Sequence, residues 1–176
     1  MVREISAGGV VVRKRNGIWW MAAIEPPTES AREALPAKSD RSKSGQSRSR
    51  HSTPWPKRVL ALPKGLVDPG EKPLQTALRE VFEETGVVAE FVAKLADSKY
   101  VYTRTWGDGE RVFKIVSFYL LRYHSGRIND ITPAMRIEVA RARWIRLEEA
   151  SKLLAYGGEK QMARRALEYV KAHPEL

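Results

Sequence analysis

One stretch of the chain, from Gly65 to Val87, carries a fixed spacing of glycine and charged residues that constrains the structure around it. Five residues separate Gly65 from Glu71, and seven more precede a dense cluster of charges. The positions of this spacing are Gly65, Glu71, Arg79, Glu80, Val81, Glu83, Glu84, Gly86 and Val87. Pro73 suits the first turn of a helix, and Gly86 is placed to end one in the left-handed conformation. We therefore predict a helix between Pro73 and Gly86.

The predicted helix has an apolar face and an acidic face. Its apolar residues recur at i, i+3, i+4 and i+7 and form one stripe, which consists of Leu74, Ala77, Leu78 and Val81. At about 100° per residue, Glu80, Glu83 and Glu84 fall together on a second face, with Arg79 at its flank. Carboxylates at this spacing repel one another and lower the stability of the helix. A hard cation with oxygen ligands, such as Mg²⁺ or Mn²⁺, would offset that repulsion.

A simpler interpretation is a solvated acidic face on which Arg79 is an ordinary ion-pair partner. A bare cluster of glutamates would favour that interpretation. Here the loop glycines, Glu71 and Arg79 all stand in register with the acidic cluster, which favours a metal site.

The spacing GX5EX7REUXEEXGU, in which U is aliphatic, is that of the Nudix box, and the chain resembles the Nudix hydrolases. The resemblance continues outside the box in the LPKG that precedes it, in the FKIVSFYL strand, and in Glu138, which lies six residues before Trp144. These features are similar to a branch of the family that acts on nucleoside polyphosphates. The resemblance implies an α+β fold, an α/β/α sandwich with a mixed sheet, formed as a single domain over residues 1–176.

The same resemblance implies hydrolysis of a phosphoric anhydride with water as the nucleophile, assisted by Mg²⁺ or, in its place, Mn²⁺. The implied metal ligands are Glu80, Glu83, Glu84 and the carbonyl of Gly65. Arg79 would orient the glutamates through bidentate hydrogen bonds, for which its planar guanidinium is suited. Glu71 would anchor the loop rather than contact the metal. The general base is left open between Glu83 and Glu138, in that order.

Three further residues are candidates for contact with the substrate. Lys64 directly precedes Gly65, and Lys114 lies in a strand whose relatives commonly reach a phosphate, for which lysine provides a point charge. Tyr102 lies where dinucleoside polyphosphate hydrolases of this family often carry a tyrosine that meets a base. Each has an ordinary alternative, as an exposed lysine or as a tyrosine packed on a half-buried sheet.

Charge and composition bound the function classes. The chain has 31 Lys and Arg against 21 Asp and Glu, a formal charge of +10, which favours anionic partners. It contains no cysteine, which excludes disulfides and thiolate metal sites and fits the cytoplasm. The sequence contains no run of eighteen apolar residues, so no membrane span is predicted.

The predicted substrate is a dinucleoside polyphosphate such as diadenosine tetraphosphate. One alternative is a mononucleoside triphosphate, including an oxidised one, as the substrate of an enzyme that sanitises the nucleotide pool. Another is the 5′ end of RNA, as the substrate of an RNA pyrophosphohydrolase. A protein that binds nucleotide or nucleic acid without catalysis is less favoured, because every box carboxylate is present.

The rest of the sequence predicts strands with helices at the C-terminal end. The predicted strands are 5–13, 19–24, 58–62, 87–95, 98–106, 112–123 and 143–147, and the last two predicted helices are 148–154 and 159–172. Residues 124–137 are predicted to form a loop. Residues 26–57 are rich in Pro, Ser, Lys and Arg and poor in aliphatic residues, which predicts a flexible basic insertion.

Overall fold

A mixed β-sheet forms the centre of the protein in the computed structural model, which describes residues 1–27, 59–104 and 109–176. Its order is β4-β5-β1-β2-β6, with β3 paired to β1, and only β1 and β5 run parallel among the pairs of these strands. The strands are β1 (Val2–Arg15), β2 (Ile18–Glu25), β3 (Lys64–Leu66), β4 (Val87–Thr103), β5 (Arg111–Gly126) and β6 (Arg141–Arg146).

Helices follow from local sequence signals. The helices are α1 (Pro73–Thr85), α2 (Leu147–Leu153) and α3 (Gly157–Ala172), with a 3-10 turn at Met135–Ile137. Pro73 occupies the first turn of α1, and the Lys72 backbone N–H donates to Gln75 Oε1 at 2.9 Å. Gly86 ends the helix with φ 79°, a conformation that favours glycine, so the predicted box helix is confirmed.

The core is divided between the two faces of the sheet, because successive strand residues point to opposite sides. Val11 packs with Val81 of α1 on one face, and the apolar stripe of α1 lies in the same cluster. Val10 and Val12 pack on the other face with α2 and α3, including Met162 and Val170. Helices on both faces of a mixed sheet form the α/β/α sandwich that was predicted.

Two elements near the sheet edge differ from the prediction. The predicted strands 87–95 and 98–106 are one strand, Val87–Thr103. Its pairing with β5 shifts register at three places, which interrupts the alternation of polar and apolar residues but does not end the strand. The loop predicted at 124–137 begins later, since β5 extends to Gly126, and it contains the 3-10 turn. The hairpin at Asn16 and Gly17 is confirmed, with both residues at positive φ.

The short strand predicted at 58–62 is wrong in its position. Leu60 and Ala61 form only isolated bridges, to Leu154 and Ile24, while the paired segment is Lys64–Leu66 on β1. Pro63, which has no backbone N–H to donate, separates the two pieces. The structure thereby brings Gly65 to the sheet beside β1, where it contacts Glu80 of α1.

Most of the predicted insertion at 26–57 lies outside the described residues, so its flexibility stays a prediction. No helix in the described ranges is long and apolar enough to cross a membrane.

Candidate active site

Arg79 ties the loop before α1 to the acidic face of the helix. Its Nε and Nη2 donate to the two carboxylate oxygens of Glu71, each at 3.0 Å. Its Nη1 donates to Glu80 Oε1 at 2.8 Å and to Glu83 Oε2 at 3.2 Å, and Nη2 also reaches the Leu66 carbonyl at 3.2 Å. These bonds, first of all those to Glu71, raise the pKa of Arg79, so it stays charged. One guanidinium therefore positions the loop and two of the predicted metal ligands together.

Glu71 serves as an anchor for the loop. Besides Arg79, it accepts hydrogen bonds from the Thr76 hydroxyl at 2.6 Å and from the Asp68 backbone N–H at 3.3 Å. The Arg79 hydrogen bonds, followed by that of Thr76, lower the pKa of Glu71 to about 2. This fully engaged carboxylate has no need of a cation, in agreement with the anchoring role predicted for it.

Glu84 is the most buried carboxylate of the acidic face. It is 6% exposed, and its Oε2 accepts the backbone N–H of Lys64 at 2.8 Å. Burial raises the pKa of Glu84 to about 8, opposed by Lys64 and reinforced by the charges of Glu80 and Glu138. A buried carboxylate surrounded by other carboxylates calls for a compensating cation.

Glu80 lies directly against the backbone of Gly65. A Cβ atom at position 65 would overlap the Glu80 carboxylate, so a larger residue there would displace this predicted ligand from β3. Burial raises the pKa of Glu80; Arg79 lowers it, and Glu83 and Glu138 raise it. Glu138 is exposed at the end of the 3-10 turn, yet its charge acts on both Glu80 and Glu84. Glu138, the predicted alternative base, is therefore close enough for its charge to raise the pKa of Glu80 and Glu84.

The donor set fits a hard divalent cation. Within residues 1–27, 59–104 and 109–176, no three acidic or histidine side chains are already arranged as ligands around one point. Arg79 is bound to Glu80 and Glu83, and a backbone N–H is bound to Glu84. Even so, the buried charge of Glu84 and the packing of Glu80 on Gly65 gather hard oxygen donors in one place, and such donors suit Mg²⁺ or Mn²⁺.

The predicted substrate-binding residues contact two different glutamates. Lys64 pairs with Glu159, whereas Tyr102 and Lys114 contact Glu4. Lys64 Nζ lies 2.8 Å from Glu159 Oε1. Burial alone would lower the pKa of Lys64, but the charge and hydrogen bond of Glu159 outweigh it and raise that pKa. A phosphate bound by Lys64 would therefore share its ammonium group with Glu159, so Lys64 stays a predicted contact rather than a free cation.

Tyr102 and Lys114 meet at Glu4, which the sequence did not single out. The Tyr102 hydroxyl donates to Glu4 Oε2 at 2.9 Å, and Lys114 Nζ lies 3.7 Å from the same oxygen. Arg104, also missed from the sequence, donates to Glu4 Oε1 at 2.9 Å. Burial lowers the pKa of Lys114, as does the charge of Lys64, while Glu4 raises it. The influence of Lys64 on this pKa indicates that both lysines belong to one electrostatic environment on the α3 side of the sheet.

Comparison with known proteins identifies the family to which the chain belongs. The family model described as NUDIX domain matches residues 44–166. The chain belongs to the NUDIX family. Proteins of the family generally use divalent metals, which agrees with the donor set on α1.

Several NUDIX relatives resemble the chain. MutT4 of Mycobacterium tuberculosis is 34% identical over 169 residues, which is 96% of this chain and 56% of the relative. RNA pyrophosphohydrolase of Cereibacter sphaeroides is 36% identical over 50% of this chain and 59% of the relative. The asymmetrical bis(5′-nucleosyl)-tetraphosphatase of Mus musculus is 33% identical over 53% of this chain and 60% of the relative. The matches thus span less than two thirds of the length of these relatives.

Solved structures agree on the fold. A binary complex of the Ap4A hydrolase of C. elegans superposes with a TM-score of 0.61 at 20% identity, covering 96% of this chain and 98% of that protein. At this level of identity the likeness concerns the architecture of the sandwich.

Proposed function

We propose that the chain is a metal-dependent pyrophosphohydrolase that splits a phosphoric anhydride bond in a nucleoside polyphosphate. The observation that carries this proposal is the acidic face of α1, where Arg79 holds Glu80 and Glu83 beside a buried Glu84. The family membership of the chain supports the same reaction class. Glu80, Glu83 and Glu84 lie on one face of α1, which supports a cation site there, and phosphoryl transfer depends mainly on positioning and on neutralising negative charge.

Mg²⁺ is the cation we propose, with Mn²⁺ as a substitute, held by Glu80, Glu83, Glu84 and the Gly65 carbonyl. When bound, such an ion neutralises phosphate charge and acidifies water. Arg79 keeps Glu80 and Glu83 oriented, and its bidentate bond to Glu71 prevents the loop from moving away. The Lys64 backbone N–H does the same for Glu84.

The chemical step breaks one P–O–P linkage. The oxygen of water forms a bond to phosphorus, the bridging oxygen leaves with the other phosphate, and the proton of water passes to a carboxylate. Glu83 is our first candidate for that base and Glu138 the second. The side chain of Glu83 is 38% exposed, so it is accessible to solvent water, although Arg79 holds one of its oxygens. Glu138 has the advantage that it lies outside the Arg79 network while its charge reaches Glu80 and Glu84.

We further propose that Lys64, Lys114 and Tyr102 contact the substrate, with Lys64 connecting this group to α1, since its backbone N–H binds Glu84. Tyr100 and Tyr102 have ring centroids 6.3 Å apart, which offers an aromatic surface beside the two lysines. A base stacked on this surface would have its phosphates near Lys114, which favours a nucleotide over inorganic phosphate alone. A nucleotide substrate and a sequence without cysteine both favour the cytoplasm as the place where the protein acts.

A dinucleoside polyphosphate such as diadenosine tetraphosphate is the substrate we propose. The aromatic surface supports it, as does the similarity to the mouse tetraphosphatase. The second candidate is a mononucleoside triphosphate, including an oxidised one, and it is supported by the longer match to MutT4. An RNA 5′-triphosphate is a third candidate, because the net charge of +10 favours a polyanion.

A substrate panel separates these candidates. With Mg²⁺ present, we expect kcat/KM for diadenosine tetraphosphate to exceed that for every dNTP, 8-oxo-dGTP and 5′-triphosphorylated RNA by at least about tenfold. The products are to be identified by ion-exchange chromatography, since the asymmetric cut gives ATP and AMP. Equal or lower turnover of the dinucleotide would reject this choice of substrate, and hydrolysis of none of the four classes would reject the proposed function itself.

A further inference from the structure

Glu159 of α3 is a buried acid for which the reaction described above has no role. It is 4% exposed and lies in the first turn of the C-terminal helix. Its Oε2 accepts the backbone N–H of Leu62 at 2.8 Å, and its Oε1 lies 2.8 Å from Lys64 Nζ. The Glu159 carboxylate therefore binds both the backbone of Leu62 and the side chain of Lys64, in the short segment that leads to Gly65.

The same segment is held from two other sides. The backbone N–H of Lys64 donates to Glu84, and the Pro63 carbonyl accepts the N–H of Gly9 at 3.2 Å. A Cβ at Gly8 would lie 2.5 Å from the Pro63 carbonyl oxygen and 2.6 Å from Lys64 Cβ, so the segment is pressed closely on β1. Residues 62–65, which we call the clamp segment, are thus fixed between β1, α1 and α3.

Two of the proposed metal-binding groups depend on the clamp segment. Gly65 belongs to it, and Glu84 is oriented by its Lys64 N–H. Because Glu84 is buried against repelling carboxylates, a shift of this donor would change the direction of its side chain. Groups that hydrogen-bond to a metal ligand, and do not contact the metal themselves, commonly contribute about tenfold or more to metal affinity.

We propose that Glu159 is a positioning residue, which fixes the clamp segment so that Gly65 and Glu84 are in place for the divalent cation. The proposal rests on the proposed function, in that it takes the acidic face of α1 as the metal site. It assigns to the C-terminal helix a part in metal binding, although Glu159 itself does not contact the metal or the substrate.

The test measures Mn²⁺ binding by the full chain without substrate, by electron paramagnetic resonance of the free ion. We expect Glu159→Ala to weaken Mn²⁺ binding by about tenfold. Glu159→Gln can still accept the Leu62 N–H but loses the charge that holds Lys64, so an intermediate loss of about threefold is expected. Lys64→Met should resemble Glu159→Gln, and adding it to Glu159→Ala should cause little further loss, because both changes remove the same link.

The control is Val170→Ala, a cavity-forming change three turns along the same helix, where Val170 is 1% exposed. It should lower the unfolding temperature at least as much as Glu159→Gln while Mn²⁺ affinity stays within twofold of the wild type. If Glu159→Ala does not fold, the comparison of Glu159→Gln with Val170→Ala decides the matter.

Three results would overturn the proposal. They are Mn²⁺ binding by Glu159→Gln equal to that of the wild type, an equal loss in Val170→Ala, and a wild-type chain that binds no Mn²⁺. Failure of the proposed function looks different, since a chain that binds Mn²⁺ but hydrolyses no nucleotide would leave the role of Glu159 intact.

Discussion

Replacing Glu84 by glutamine lowers kcat by at least about a hundredfold on the preferred nucleotide, at a Mg²⁺ concentration that saturates the wild type. The substitution keeps the size of the side chain and one oxygen that can accept the Lys64 N–H, which Glu84 binds at 2.8 Å. It removes the charge that a hard cation requires, in a position that is only 6% exposed. Steady-state kinetics over a range of Mg²⁺ concentrations measures the loss, and higher Mg²⁺ should recover part of it.

The matched control for this variant is Glu90→Gln. Glu90 pairs with Arg122 at 2.9 Å on exposed parts of β4 and β5, rather than on α1, and its loss should leave kcat within twofold. Glu83→Gln and Glu138→Gln belong in the same series, because the base should lose turnover while Mn²⁺ affinity changes least. A drop of only a few-fold for Glu84→Gln would mean that Glu84 is not a principal ligand.

Replacing Arg79 by lysine lowers kcat/KM by about a hundredfold although the positive charge is kept. A lysine cannot reproduce the planar fork that meets both oxygens of Glu71 while also reaching Glu80 and Glu83. We expect the loop between β3 and α1 to loosen, so the loss of activity should be larger than the fall in unfolding temperature alone would explain. Kinetics and thermal unfolding of the same preparation measure the two effects.

Arg122→Lys provides the control, because Arg122 makes one exposed contact with Glu90. It should behave as the wild type in both measurements. If Arg79→Lys retained kcat/KM within threefold, a simple point charge would be sufficient, and the orienting role of the guanidinium would be wrong.

The box helix and its acidic face could be predicted from sequence because the signals that form them are local. Pro73, Gly86 and the apolar stripe of α1 lie within one element, and helix geometry alone places the glutamates together. The α/β/α order of layers followed from the family resemblance and from the sequence of strands and helices. The C-terminal helix was predicted at 159–172, and in the structure Met162 and Val170 of α3 lie in the core.

Contacts between distant segments could not be predicted, because no local pattern encodes them. Glu4 is 100 residues from Arg104, and the two meet only because β1 lies beside β5 and β5 beside β4. Glu159 is 97 residues from Leu62, and a glutamate in the first turn of a helix ordinarily suggests a solvated residue. Strand β4 was divided in two because bulges interrupt its alternation without ending it.

The central claim is that the acidic face of α1 works only with a divalent cation among its carboxylates. Hydrolysis of the nucleotide panel should be measured after exhaustive dialysis against EDTA and again after addition of excess Mg²⁺ or Mn²⁺. We predict activity below 1% of the starting value (roughly the hundredfold loss set by a single principal ligand) without metal, and full recovery with it. Undiminished hydrolysis in EDTA would contradict the account.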